Sequence, residues 1–186
     1  SAGKCIDGGP YRHAKISVFD LPGLELVLSV APPTSSGVAN ELFVHGVSDY
    51  TGDGVPDILA ACPGCSGPTS CIDLGIAWIL DGPGFESYSQ FMESPICDTL
   101  FFGSHAAVGD VDHDGLADVA IGDPGAQGAL GDHTYVFHGP DYAKVTTLAE
   151  FPMSILGFGS EVAAGDLDGD GFAEGAVWWP NGPNAF

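Results

Sequence analysis

The residues in this sequence best equipped for chemistry lie in three short acidic stretches: "DYTGDGVPD" (49–57), "DVDHDGLAD" (110–118) and "DLDGDGFAE" (166–174). All three read D-x-[DT]-x-D-G-x-x-[DE]. Side-chain oxygens at positions one, three and five converge on one point when the chain turns tightly, and glycine at position six permits the turn. The candidate ligands are Asp49, Thr51 and Asp53, then Asp110, Asp112 and Asp114, then Asp166, Asp168 and Asp170. A carbonyl at position seven (Val55, Leu116 or Phe172) adds an oxygen, and an acid at position nine (Asp57, Asp118 or Glu174) closes the cage. An all-oxygen cage suits a hard cation of flexible coordination, so about three Ca²⁺ per chain are expected. An EF-hand needs glutamate at position twelve between helices. Position twelve here is Ala60, Ile121 and Val177, and the flanks read as strands. The copies share neither an open coordination position nor a neighbouring base, so the expected role of the ion is structural.

The elements that must hold these loops repeat with them. Asp49, Asp110 and Asp166 are 61 and 56 residues apart, and Pro63, Pro124 and Pro180 each follow 14 residues later. A second marker, Pro22, Pro83 and Pro140, runs in step at spacings of 61 and 57. Two markers with one period identify a structural repeat. Each unit reads as a small-residue strand ("SHAAVGDV"), the acidic loop, a nearly all-apolar strand ("DVAIGDP"), a third strand ("TYVFHGP") and a more alternating fourth ("AKVTTLAEF"). A run apolar throughout is buried on both faces, whereas alternation marks an edge. Four antiparallel strands graded from crowded to exposed describe a propeller blade. The expected fold is therefore all-β, a β-propeller with three blade equivalents cut mid-blade. Within a single part-domain of residues 1–186, residues 13–40 form the second half of a blade. Residues 41–97 and 98–152 form two blades, and 153–186 the first half of another.

Composition agrees and narrows the partners. The chain has 186 residues, with 28 Gly, 14 Pro and 45% hydrophobic residues, a turn-rich and packed composition. Its net charge is −21, from 25 acids against 4 Lys and Arg. Nucleic acid and anionic membrane are poor partners for such a surface, and no apolar run is long enough for membrane insertion. No leader is visible at the start, although a processed or trimmed chain would look the same. Of the five cysteines, Cys62, Cys65 and Cys71 cluster in "CPGCSGPTSC", with Cys5 and Cys97 outside it. A lone CxxC is a redox motif, half a zinc site or part of a disulfide framework. No second CxxC or HxxxH partner exists, which favours disulfides and an extracellular, secreted or cell-surface location. An odd count leaves one thiol free or paired between chains.

The stretch "FGSHAAVGDVDHDGLADVAIGDPGA" resembles an FG-GAP repeat, the blade of the integrin α-subunit β-propeller. Phe102-Gly103 stands at the "FG" and Gly122-Asp123-Pro124 at the "GAP". The copy with Phe158-Gly159 and Trp178-Trp179-Pro180 is similar. The first copy departs, with Glu41-Leu42 for "FG", Ala61-Cys62-Pro63 for "GAP" and Thr51 at loop position three. The resemblance implies a seven-bladed ring with calcium loops on one face and ligands, proteins or glycans, on the other. Three units are too few for such a ring. One solution is a homodimer in which the C-terminal half-blade of one chain is completed by the N-terminal half-blade of another, giving six blades. The other is a piece of a longer protein.

No histidine (His13, His45, His105, His113, His133 or His138) pairs with Ser or Cys in a nucleophile motif. His113, at loop position four, is expected to point to solvent. The reading is a calcium-stabilised, non-enzymatic recognition or adhesion module, with a structural assembly unit and a propeller-based hydrolase or lyase as alternatives. Contact loops are expected at 32–41, 63–75, 94–101, 124–133 and 180–186. Trp78, Tyr88, Trp178 and Trp179 are candidates for stacking on a ligand, though aromatic residues more often pack a core.

Overall fold

A computed structural model describes residues 15–20, 22–30, 42–63, 65, 75–85, 88–93, 101–124, 132–150 and 157–178. Twelve strands and no helix occur among them. They are β1 (Ile16–Asp20), β2 (Glu25–Val30), β3 (Phe43–Ser48), β4 (Asp57–Cys62), β5 (Ile76–Leu80) and β6 (Tyr88–Glu93), then β7 (Ala106–Gly109), β8 (Asp118–Asp123), β9 (His133–His138), β10 (Lys144–Glu150), β11 (Glu161–Gly165) and β12 (Glu174–Trp178). Every pairing is antiparallel between chain neighbours. Two sheets have four strands, β3-β4-β5-β6 and β7-β8-β9-β10, and two have a single pair, β1-β2 and β11-β12. The innermost strands β3, β7 and β11 lie beside one another. These sheets are blades of a β-propeller whose ring is not closed among the described residues.

Alternation along each strand sends its residues to two different inter-blade layers. Leu59, Ala61, Ala77 and Ile79 of the first full blade face Val119, Ile121, Tyr135 and Phe137 of the second. The opposite face of the first blade, with Ile58, Ala60, Ile76, Trp78 and Leu80, takes Ile16 and Val18 of β1. Both faces are covered, so β4, β5, β8 and β9 are buried at every residue. Trp78 is fully buried and serves the core, whereas Tyr88 and Trp178 are exposed. The Cys62–Cys65 disulfide closes the turn after β4 and packs into the same layer as Trp78. Cys5, Cys71 and Cys97 lie outside the described residues, as do most of the five expected contact loops.

The FG and GAP positions meet between blades. Phe102 is fully buried in the first-to-second layer, edge-on to Phe137 at 5.9 Å. Gly103, at φ 86°, donates its amide to the Gly122 carbonyl at 3.1 Å. A β-carbon on Gly103 would come within 2.8 Å of the Ala61 β-carbon, the residue standing where Gly122 stands in the next blade. A β-carbon on Gly122 would in turn collide with the Gly159 carbonyl. The FG turn of each blade thus rests on the GAP residue of the blade before it. Asp132 reinforces the second of these contacts by accepting the Gly157 and Phe158 amides. Forcing a methyl into such a contact costs about 1–3 kcal/mol. Gly122→Ala is expected to lower stability by that amount in urea denaturation. Gly84→Ala, whose added carbon meets nothing within 4 Å, is expected to stay within about 0.5 kcal/mol of the parent.

Candidate metal centres

Each acidic loop joins the first strand of a blade to the second, and its carboxylates are tied to its own backbone amides. Asp49 accepts from the amides of Gly52 (2.8 Å), Asp53 (3.1 Å) and Gly54 (2.8 Å), and Asp53 from Val55 (2.8 Å). Asp110 accepts from Asp114 (3.1 Å) and Gly115 (2.9 Å), and Asp114 from Leu116 (2.9 Å). Asp166 accepts from Gly169 (2.6 Å) and Gly171 (3.0 Å), Asp168 from Asp170 (3.1 Å), and Asp170 from Phe172 (2.9 Å). These bonds are the physical reason for the spacing, since a short acceptor side chain outcompetes helix or sheet pairing and curls the chain around itself. Positions four and six have positive φ in every loop: Gly52 and Gly54, His113 and Gly115, Gly169 and Gly171.

The acid at position nine does something different. Asp57 and Asp118 are the first residues of β4 and β8, and they are 0% and 1% exposed. Asp57 accepts from the Tyr50 (3.0 Å) and Thr51 (3.1 Å) amides with one oxygen and from Gly82 (2.9 Å) with the other. Asp118 repeats this with Val111 (2.7 Å) and Gly139 (2.9 Å). Gly82 and Gly139 begin the turn after the third strand, so one carboxylate ties the acidic loop to two strands of its blade. Glu174 accepts from Leu167 at 2.8 Å, the matching loop bond of the third copy.

Two of the loops gather acids as a metal site would. Oxygens of Asp110, Asp112 and Asp114 lie within 4.8 Å of one another, as do those of Asp166, Asp168 and Glu174. Like charges at that range repel by about 3 kcal/mol at an effective dielectric near 20, less where water screens them, and a bound cation removes the repulsion. In the first loop Asp49, Asp53 and Asp57 do not form such a trio among the described residues, but the Thr51 hydroxyl is buried without a hydrogen-bond partner. Oxygen-only donor sets with an orphaned hydroxyl fit a hard divalent cation. Val55, Leu116 and Phe172 sit at position seven in each loop, where their amides are bonded to the position-five acids.

The loops also lock to one another, which the sequence reading missed. His113 is exposed at position four but does not simply point to solvent. Its Nδ1 lies 2.6 Å from the Gly171 carbonyl of the next loop, and its ring packs on Phe172 at 4.8 Å between centroids. A β-carbon on Gly52 would lie 3.3 Å from Leu116, so the position-seven side chain covers position four of the preceding loop in both pairs. The Ala173 amide donates to the Asp110 carbonyl at 2.9 Å. The buried Tyr142 hydroxyl lies 3.0 Å from the carbonyls of both Tyr50 and Ala117, which bridges the two full blades. Of the other histidines, His45 sits at a bulge in β3 with Nε2 2.9 Å from the Gly103 carbonyl, and burial pushes its pKa down. His138, which no motif marked, lies against Asp112 and Asp118.

Burial, and then the Asp57 charge, pushes the Tyr50 phenol up to about 12. Burial raises Tyr142 as well, followed by its neighbour Tyr50 and the loop carboxylates. In the unfolded chain both would ionise near 10. The stability they carry is therefore complete below pH of about 10 and is lost as pH rises toward about 12. Denaturation midpoints across that range are expected to fall steeply in the parent chain and less steeply in Tyr142→Phe.

Residues 49–121 match the FG-GAP-like repeat. The chain is 28% identical over 155 residues to integrin alpha-PS5 of Drosophila melanogaster, a match covering 75% of this chain and 15% of that protein. It is 29% identical over 153 residues to integrin alpha-PS3 of the same organism, covering 76% and 14%. The chain thus spans about 15% of the length of these relatives. Residues 49–121 thus resemble an FG-GAP-like repeat, and the chain is similar to integrin α subunits over about three quarters of its own length.

Proposed function

We propose that the chain is a calcium-braced, non-enzymatic recognition segment of an extracellular, adhesion-type propeller, secreted or held at a cell surface. The observation that supports this most is the repeated loop in which carboxylates bond to backbone amides. Such acids organise the chain and are not offered to a substrate cleft. Asp110, Asp112 and Asp114, with Asp166, Asp168 and Glu174, would hold two ions, and Asp49, Thr51 and Asp53 a third. Similarity to integrin α chains supports the adhesion setting. A protein or glycan ligand would meet the loops at the end of the blades opposite the acidic turns. Bound calcium adds stability by mass action, about 2.7 kcal/mol per site at a hundredfold excess over the dissociation constant. The thermal midpoint is expected to rise by at least about 5 °C from EDTA to excess calcium. An unmoved midpoint would contradict the reading. A glycan array probed with and without calcium tests recognition, and calcium-dependent binding is the expected result.

The sheets suggest how the ring closes. β4 and β8 are buried throughout, whereas Gly175, Ala176 and Trp178 of the matching β12 are exposed. At the other end Phe19, Leu24, Leu26 and Val27 are exposed around β1-β2. β1 matches β5 and β9 in sequence, so β12 of one copy and β1 of a second would pair as β4 pairs with β5. We propose that two copies close a six-bladed ring this way. Sedimentation at micromolar concentration with calcium is expected to give about 38 kDa, twice the 19.0 kDa chain. A monomer would assign the missing blades to a longer chain.

A further inference from the structure

The second blade carries an imidazole where the first carries a carboxylate. Its third strand ends His138-Gly139-Pro140, where the first blade has Asp81-Gly82-Pro83. His138 is 8% exposed, and its Nδ1 is buried without a hydrogen-bond partner. That nitrogen points at two carboxylates, 3.3 Å from Asp112 Oδ2 and 3.6 Å from Asp118 Oδ1. The other ring nitrogen, Nε2, lies 3.0 Å from the Thr146 hydroxyl. In the tautomer whose Nε2–H donates to the Thr146 hydroxyl, the Nδ1 lone pair faces two carboxylates and is available to ligate a cation between them.

The separations are those of ligands around a small metal ion. A charge-assisted N–H···O bond closes to about 2.7–2.9 Å, shorter than either distance here. Ligands about 2.0 Å from a tetrahedral ion stand about 3.3 Å apart, which is the His138–Asp112 distance and close to the His138–Asp118 one. Calcium and magnesium favour oxygen, whereas an imidazole nitrogen among carboxylates selects a borderline first-row dication. The Asp112 side chain is 36% exposed, so solvent reaches the cluster. His138 and Thr146 also line a cavity of about 250 Å³ between this blade and β11-β12. We propose that Asp112, Asp118 and His138 Nδ1 form a binding site for one transition-metal dication of the zinc class, separate in selectivity from the oxygen-only loops, with Thr146 as the residue that positions the imidazole. Asp112 has two oxygens and can bridge this ion and one held with Asp110 and Asp114.

The test is a Zn²⁺ titration of the metal-stripped full chain by calorimetry, in buffer containing excess calcium. The parent is expected to bind one Zn²⁺ that His138→Gln weakens by more than tenfold and Thr146→Val by about tenfold, the usual scale for a positioning partner. Because a variant can fail for want of folding, nitrogen-15 NMR of the parent supplies a second readout. Zinc is expected to shift His138 Nδ1 and leave His133 in place. Absence of zinc binding, zinc binding unaffected by His138→Gln in a folded variant, or an unshifted Nδ1 would each overturn the proposal.

Discussion

Each complete blade depends on a single buried carboxylate at the start of its second strand. Asp57 and Asp118 are removed from water, so each oxygen must find donors or lose several kcal/mol of solvation. The donors come from the acidic loop on one side and from Gly82 or Gly139 beyond the third strand on the other. The loop cannot move without breaking these bonds, nor can the hairpin that follows. The remaining acids then have fixed positions around the turn. Their crowding is a consequence of the fold's bracing, and a cation relieves it.

The inter-blade layers rest on that fixed frame. At one end, the FG turn of each blade seats on the GAP residue of the blade before, Gly103 on Ala61 and Gly159 on Gly122, with no room for a further carbon. At the other, loop carbonyls and position-seven side chains reach across to the neighbouring loop, with Tyr142 and His113 as the bridges. Between the ends, alternating residues of β4, β5, β8 and β9 fill two apolar layers. The two half-sheets show what happens where a layer lacks its neighbour: Trp178 and Phe172 at one side, Leu24 and Val27 at the other, remain in solvent.

Much of this was legible because the constraints repeat locally. The period of the acidic loops and prolines marked the blades. The all-apolar "DILAAC" and "DVAIGD" marked the strands buried on both faces, and the cysteines favoured disulfides, though not the Cys62–Cys65 pairing. Contacts between residues far apart in the chain left no such trace. Nothing in "DVDHDG" says that His113 meets Gly171, 58 residues later, and nothing in "TYVFHGP" says that His138 folds back on Asp112 and Asp118. The role of position nine was also only half visible. An acid belonged there, but its burial and its bonds to the amides of two strands arise from the hairpin geometry and not from the spacing.

Asp57 and Asp118 hold their blades together whether or not an ion is bound. Amide hydrogen exchange followed by NMR in EDTA tests this most directly. The Gly82 and Gly139 amides are expected to exchange as slowly as the strand amides of β4 and β8, and Asp118→Asn is expected to release Gly139 while sparing Gly82. Exchange of both glycine amides at the rate of an unprotected loop in the parent chain would contradict it.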